Sequence, residues 1–175
     1  MLIIDVVFLI ILSGFVFYGL FFGLIRTIGV LVGLLIGTWV AGNYYLEVFG
    51  FIKGAFLGFD NLGKILSFLI VFSLTEKLVG LGFSIIDKTF NILSIIPFLK
   101  TINKLGGVIF GLIEGTLTIG LFLFIASRYI FIETWLGALL QNSVLAPFFL
   151  NTVKVLMPLL PDVLKQLQPF LWYKQ

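Results

Sequence analysis

The stretch G-V-L-V-G-L-L-I-G-T-W-V-A-G occupies residues 29–42, and G-V-I-F-G-L-I-E-G-T-L-T-I-G occupies residues 107–120. The two stretches are offset by 78 residues and are identical at seven of fourteen positions. The first stretch contains no charged residue, and the second contains one, Glu114. Both lie within longer apolar runs. An apolar run of about 20 residues is long enough to cross a bilayer as a helix. The repeated stretch therefore predicts two equivalent membrane-spanning helices and a partial internal repeat.

Glycine recurs every fourth residue in both copies, which places the glycines of each copy on one face of its helix. The glycines concerned are Gly29, Gly33 and Gly37 in the first copy and Gly107, Gly111 and Gly115 in the second. Such faces let a neighbouring backbone approach closely, which is how helices associate in lipid. The spacing predicts helix packing within one chain, with a seam between two copies of the chain as the alternative.

The composition extends this interpretation to the whole chain. Of its 175 residues 61% are hydrophobic and 11% are charged, and the mean hydropathy is +1.23. A soluble domain averages about a quarter charged residues, because water must wet its surface. The composition therefore excludes a soluble fold and indicates an integral membrane protein with the lipid bilayer as its solvent.

The residue types also limit the chemistry. The chain has neither His nor Cys, so the commonest general base, metal ligand and thiol nucleophile are missing. Its net charge of +3 is spread singly among apolar runs, unlike the basic patch that binds nucleic acid. We expect no catalytic residue, cofactor or metal, and no nucleic-acid partner.

Four apolar runs are long enough to span a membrane, at about residues 6–22, 27–45, 65–86 and 105–127. The predicted fold is an all-α membrane domain over residues 1–127, followed by an amphipathic tail over 128–175.

Four prolines interrupt the tail, namely Pro147, Pro158, Pro161 and Pro169. They favour short helices on the membrane surface, with Trp172 and Tyr173 at the headgroups. A fifth span over about 144–160 is the alternative, although Lys154 near its middle would be costly to bury.

Two connections between the spans are long. Residues 46–64 hold several phenylalanines beside Lys53 and Asp60, which fits either an interfacial segment or an ordinary loop. The connection over 87–104 carries three lysines, and Pro97 is expected to break any continuous helix there.

Basic residues predict the orientation. Arg26 and Lys104 open equivalent helices and should lie on one side, which the positive-inside rule makes cytoplasmic. Both termini are then outside the cytoplasm. A plain count of basic residues, four on the inner side and six on the other, opposes this orientation, although charges far from a span count for less.

Charges at membrane depth are the candidate functional residues, because each costs roughly 2.5 to 3.5 kcal/mol at a span centre. Glu76 and Lys77 lie in the third span, where Ser73 shares their side, and Glu114 lies in the fourth. Lys77 and Glu114 fall at equal depth on antiparallel helices, which predicts an ion pair between them. Such a pair can serve to fix helix register alone, or can line a path for conduction.

The order and spacing of several motifs resemble the colicin V production protein (CvpA) family along nearly the whole chain. The residues that carry the resemblance are Asp5, Gly19, Gly23, Arg26, Asn103 and Gly106, within N-K-L-G-G-V-I-F-G-L-I-E-G. The tail element from Ser143 to Pro147 also resembles the family's S-x-L-x-P. The chain departs from the family pattern at Asn103, where Asp is usual, and at Glu114.

The resemblance implies a protein of the bacterial inner membrane with an accessory or scaffold role in toxin production or export and in envelope homeostasis. Protein partners or a homo-oligomer are expected on this interpretation. The alternative is an oligomeric channel or transporter, with a polar path lined by the third and fourth spans.

Overall fold

The computed structural model describes residues 3–56, 60–93, 97–126, 140 and 142–161. The helices are α1 (Ile3–Phe22), α2 (Leu24–Ile52), α3 (Asp60–Leu93), α4 (Pro97–Ala126) and α5 (Ala146–Thr152). Single 3-10 turns follow α2 at Lys53–Ala55 and α5 at Val153–Val155 and Met157–Leu159. No strand occurs among these residues, and α1 to α4 are each long and apolar enough to cross a membrane. The predicted all-α fold with four spans is confirmed.

The helices extend further than the predicted spans. α2 continues beyond residue 45 to Ile52, and α3 runs from Asp60 to Leu93 instead of 65–86. Charged side chains such as Glu47 and Lys88 raise the cost of lipid exposure, but they do not terminate a helix. Most of the expected connection over 46–64 is therefore helical. The expected connection over 87–104 is also mostly helical, and α4 begins at Pro97, since proline is well tolerated at a first helical position.

The four long helices form two closely packed pairs. α3 packs along α2, α1 packs along α4, and α2 contacts α4 in the centre. The outer positions are thus held by α1 and α3. We call the end of the bundle at the α1–α2 turn the hairpin end, and the opposite end, at the start of α1, the tail end.

The described part of the tail closes the tail end. α5 has seven residues and is followed by 3-10 turns, so residues 144–160 are not a fifth span. Phe149, Val153 and Leu156 are fully buried within the core, and Phe149 meets the Phe8 ring edge-on at 5.5 Å between centroids. The described part of the tail thus packs several apolar side chains into the core of the bundle. Trp172 and Tyr173 lie outside the described residues.

Candidate functional site

The structure joins two of the predicted motif residues at the tail end. Asp5 is fully buried, and its carboxylate accepts hydrogen bonds from the Ser143 hydroxyl at 2.5 Å and from the Leu145 amide at 3.2 Å. The Ser143 hydroxyl in turn accepts from the amide of Ala146, the first residue of α5, at 2.9 Å. Asp5 therefore ties the start of α1 to the start of the tail helix.

A second motif cluster lies at the hairpin end. Gly23 separates α1 from α2 with φ +83°, a left-handed conformation that glycine adopts without the steric cost of a Cβ. The side-chain oxygen of Asn103 accepts from the first amide of α2, at Leu24, at 2.9 Å. Gly106 faces the Leu24 side chain, so α4 packs directly on the turn. Asn103 satisfies a backbone donor that the helix itself leaves unpaired.

Arg26 is held by aromatic residues of α1. Its Nε donates to the Tyr18 hydroxyl at 3.1 Å, and its guanidinium lies over the Phe22 ring, 4.0 Å from the centroid. A cation over an aromatic face is stabilised where water is scarce. The arrangement orients the guanidinium at the hairpin end of the bundle.

The repeated glycines contact equivalent partners. In α2, Gly29 faces Phe83, Gly33 faces the Glu76 backbone and Gly37 faces Phe72, all in α3. In α4, Gly107 faces the Gly19 backbone, Gly111 the Phe15 carbonyl, and Gly115 the side chains of Phe15 and Leu12, all in α1. These two rows, called the glycine seams below, lie within the chain.

The last glycine of each repeat contacts the tail instead. A Cβ at Gly42 would lie 2.5 Å from the Leu159 carbonyl oxygen, and Gly120 faces the Phe149 carbonyl oxygen. The glycines of the repeat thus allow the outer helices and the tail to approach closely, through backbone or side-chain contacts.

A cavity of about 630 Å³ lies between the outer helices α1 and α3, with α2 and α4 behind it. Its lining residues are Ile11, Gly14, Phe15, Tyr18, Arg26, Val30, Glu76, Lys77, Gly80, Leu81, Ser84 and Glu114. Ile11 and Leu81, on its two sides, are 44% and 62% exposed. The cavity therefore opens sideways, toward the lipid, and its size falls in the range of small-molecule sites.

Glu114 is the buried acid of the cavity. Its side chain is only 3% exposed, and its Oε2 has no hydrogen-bond partner. At about 1.5 Å per residue it lies roughly 16 Å along α4 from Asn103, well inside the bundle. Glu76 on α3 is half-buried and lines the same cavity as Glu114. The structure thus brings two carboxylates to one cavity.

The predicted pair of Lys77 and Glu114 shares this cavity but forms no salt bridge. Both residues are described, and the salt bridge present in the described chain joins Lys53 and Asp60 at 4.0 Å instead. Lys77 is exposed at the α3 edge of the cavity, whereas Glu114 lies behind it on α4. Equal depth does not bring the two side chains together, because α3 and α4 are separated by α2. Ser73 is exposed and lies outside the cavity lining.

Sequence reasoning used Arg26 only to predict the orientation and did not single out Tyr18, yet both residues line the cavity. Gly14 and Gly80 also line it from opposite sides, and a Cβ at either would meet nothing within 4 Å. No sequence signal separates these open glycines from packed ones such as Gly19 and Gly63, which also lie outside the two rows. No group of three metal-ligating side chains occurs among the described residues.

Comparisons with known proteins add a family. A family model described as Colicin V production protein matches residues 4–154, which includes both motif clusters, both glycine seams and the cavity. Searches of curated proteins and of solved structures gave no match.

Proposed function

Because the chain belongs to the Colicin V production protein family, we propose that it is an accessory protein in the production or export of a peptide toxin and in envelope homeostasis. The family match over residues 4–154 is the observation that carries the proposal. Four helices that could span a membrane fit this role, because an accessory protein must stay in the membrane where export occurs. The proposal assigns no catalysis to the chain.

The architecture supports a scaffold. Both glycine seams join the helices by close contacts at glycine, and Asp5 hydrogen-bonds the tail to α1. Such contacts favour a preformed surface over a moving gate. We place the protein in the bacterial inner membrane, with the hairpin end cytoplasmic and both termini outside, following the positive-inside rule.

The tail supplies the surface that we assign to a protein partner or a second copy of the chain. Its inward residues are occupied by the bundle, whereas Val144, Phe148 and Val155 are between 56% and 75% exposed. A contiguous exposed apolar patch commonly marks a protein or membrane interaction site, and we assign that role to these three side chains.

Toxin release tests the proposal. A strain that lacks its own family member and carries a colicin V type export system is complemented with this chain, and released toxin is measured by growth inhibition. We expect complementation by the native chain, and reduced release with Phe148→Ser and Val155→Ser combined, at equal amounts of membrane-inserted protein. An exposed lipid-facing change, Ile70→Ser, is the matched control. Failure of the native chain to restore release in a strain that requires a family member would contradict the role.

The cavity favours a second candidate, an oligomeric channel or transporter. Glu76, Lys77 and Glu114 line one open volume at membrane depth, and ionisable groups there often mark a solute path. Flux through liposomes distinguishes this candidate from the scaffold.

A further inference from the structure

We infer that the cavity between α1 and α3 is a binding site for the ammonium group of an amphiphile, with Glu114 as its principal acceptor. The amphiphile is an aminophospholipid or a free alkylamine, which share an ammonium group on an apolar body. The inference concerns binding by the purified protein, and it holds whether or not the protein acts in toxin production.

The buried acceptor is the first reason. Glu114 is 3% exposed, lines the cavity and has an oxygen without a hydrogen-bond partner. Nearly all buried polar atoms in proteins have a partner, and one that lacks it inside a cavity indicates a missing donor. An ammonium group offers three donors and a positive charge, which match a carboxylate.

The neighbouring charges favour a cation at this depth. Glu76 is the second carboxylate of the cavity, and no salt bridge to either acid occurs in the described chain. Arg26 has its own partners in Tyr18 and Phe22, at the hairpin end. Lys77 also lines the cavity, but its side chain is exposed at the α3 edge, whereas Glu114 is buried behind it on α4. An anionic head beside Glu114 would therefore meet two carboxylates before any cation, so it is disfavoured.

The shape favours an amphiphile over a bare metal ion. A volume of about 630 Å³ far exceeds one ion, and Ile11, Phe15, Val30 and Leu81 provide apolar walls. The sideways opening between α1 and α3 would allow an acyl or alkyl chain to remain in the lipid while its head enters. Gly14 and Gly80 keep the passage free of side chains.

Native mass spectrometry of the full chain in detergent tests the site. The lipid arm compares phosphatidylethanolamine with phosphatidylglycerol of the same acyl chains, and the free-amine arm compares octylamine with octanol. We expect the amine member of at least one pair to be retained preferentially. Preferential retention in the lipid arm alone would identify a lipid ligand. Preferential retention in the free-amine arm alone would identify a free alkylamine.

Four variants locate the binding. Glu114→Gln keeps the side-chain volume but removes the charge, and should raise the Kd about tenfold or more, as expected for a lost charge-assisted hydrogen bond. Gly80→Leu fills the cavity and should abolish retention. Glu47→Gln changes an exposed glutamate outside the cavity, and Gly82→Leu changes another open glycine of α3 outside it, so both should bind normally.

Three results would overturn the inference. The first is retention of octanol as strong as that of octylamine, together with no preference for the amine lipid. The second is retention of the amine by Glu114→Gln equal to that by the native chain. The third is no retention of any ligand in either arm. If Glu114→Gln is not monodisperse, the comparison of Gly80→Leu with Gly82→Leu decides whether the cavity holds the ligand. Loss of toxin release without loss of amine binding would contradict the proposed role and leave the site intact.

Discussion

At the scale of single residues, Asp5 illustrates how a charge is kept in an apolar helix. A buried carboxylate is costly unless donors surround it, and Ser143 and Leu145 supply them from the tail. The two motif elements, more than a hundred residues apart in sequence, are therefore one contact. Sequence spacing identified both elements but could not join them, because a motif carries no information about its partner.

Ser143→Ala should destabilise the protein by about 1–3 kcal/mol, the cost of removing a donor from a buried charged acceptor. Thermal unfolding in detergent micelles measures the change. Ser13→Ala is the control, since the exposed Ser13 hydroxyl donates only to the Leu9 carbonyl of its own helix. In a double-mutant cycle with Asp5→Asn, the two changes should be less than additive. Equal effects of Ser143→Ala and Ser13→Ala would show that the contact contributes nothing.

Gly23→Ala should also destabilise the chain, by at least about 1–2 kcal/mol, because left-handed backbone is unfavourable for residues with a Cβ. The added Cβ would in addition meet the Asn103 amide group. Gly50→Ala provides the control, since that glycine lies in α2 with nothing within 4 Å of its Cβ position. An unchanged unfolding temperature for Gly23→Ala would be inconsistent with the tight turn between α1 and α2.

At the scale of helices, the glycine rows lie where the helices of each pair approach most closely. The repeat predicted small-residue faces on the second and fourth helices, and these faces meet α3 and α1 respectively. The partner of each face could not be predicted, because a spacing of four defines a stripe on one helix and says nothing about its neighbour. The same limit explains why Lys77 and Glu114 form no salt bridge. Their sequence positions predict the depth of each residue in the membrane, but not the direction in which each side chain leaves its helix.

Gly107→Ala tests the seam between α1 and α4. Its Cβ would run into the Gly19 carbonyl group, which is backbone and cannot rotate away, so the helices must separate. We expect a lower unfolding temperature and a lower yield of monodisperse protein. Gly82→Ala, an open glycine of α3, should be neutral or stabilising, since Ala has the higher helix propensity. If both variants behave alike, the seam does not hold the pair together.

At the scale of the whole molecule, hydropathy was sufficient to predict four spans, because lipid requires long apolar helices. It was not sufficient to predict the cavity, which arises from the order of packing. With α2 and α4 in the centre, α1 and α3 face each other across an open volume. Pro97 shows a related limit at a connection, since a residue expected to break a helix instead begins one.

The orientation can be tested on the same chain, because it has no cysteine of its own. We expect Lys53→Cys and Asn151→Cys to react with a membrane-impermeant maleimide in intact spheroplasts, and Lys100→Cys to react only after lysis. All three positions are exposed in the structure. Labelling of Lys100→Cys before lysis would reverse the proposed topology.

The most direct test of the account is flux of K⁺ and of a small solute across liposomes that contain the purified protein. Empty liposomes and liposomes with the Glu114→Gln, Lys77→Met double variant are measured in parallel. If the protein is an accessory protein whose cavity binds a ligand without conducting it, we expect flux no greater than that of empty liposomes for both the native chain and the double variant. Flux through the native chain that the folded double variant abolishes would contradict the scaffold role and make the cavity a transport path.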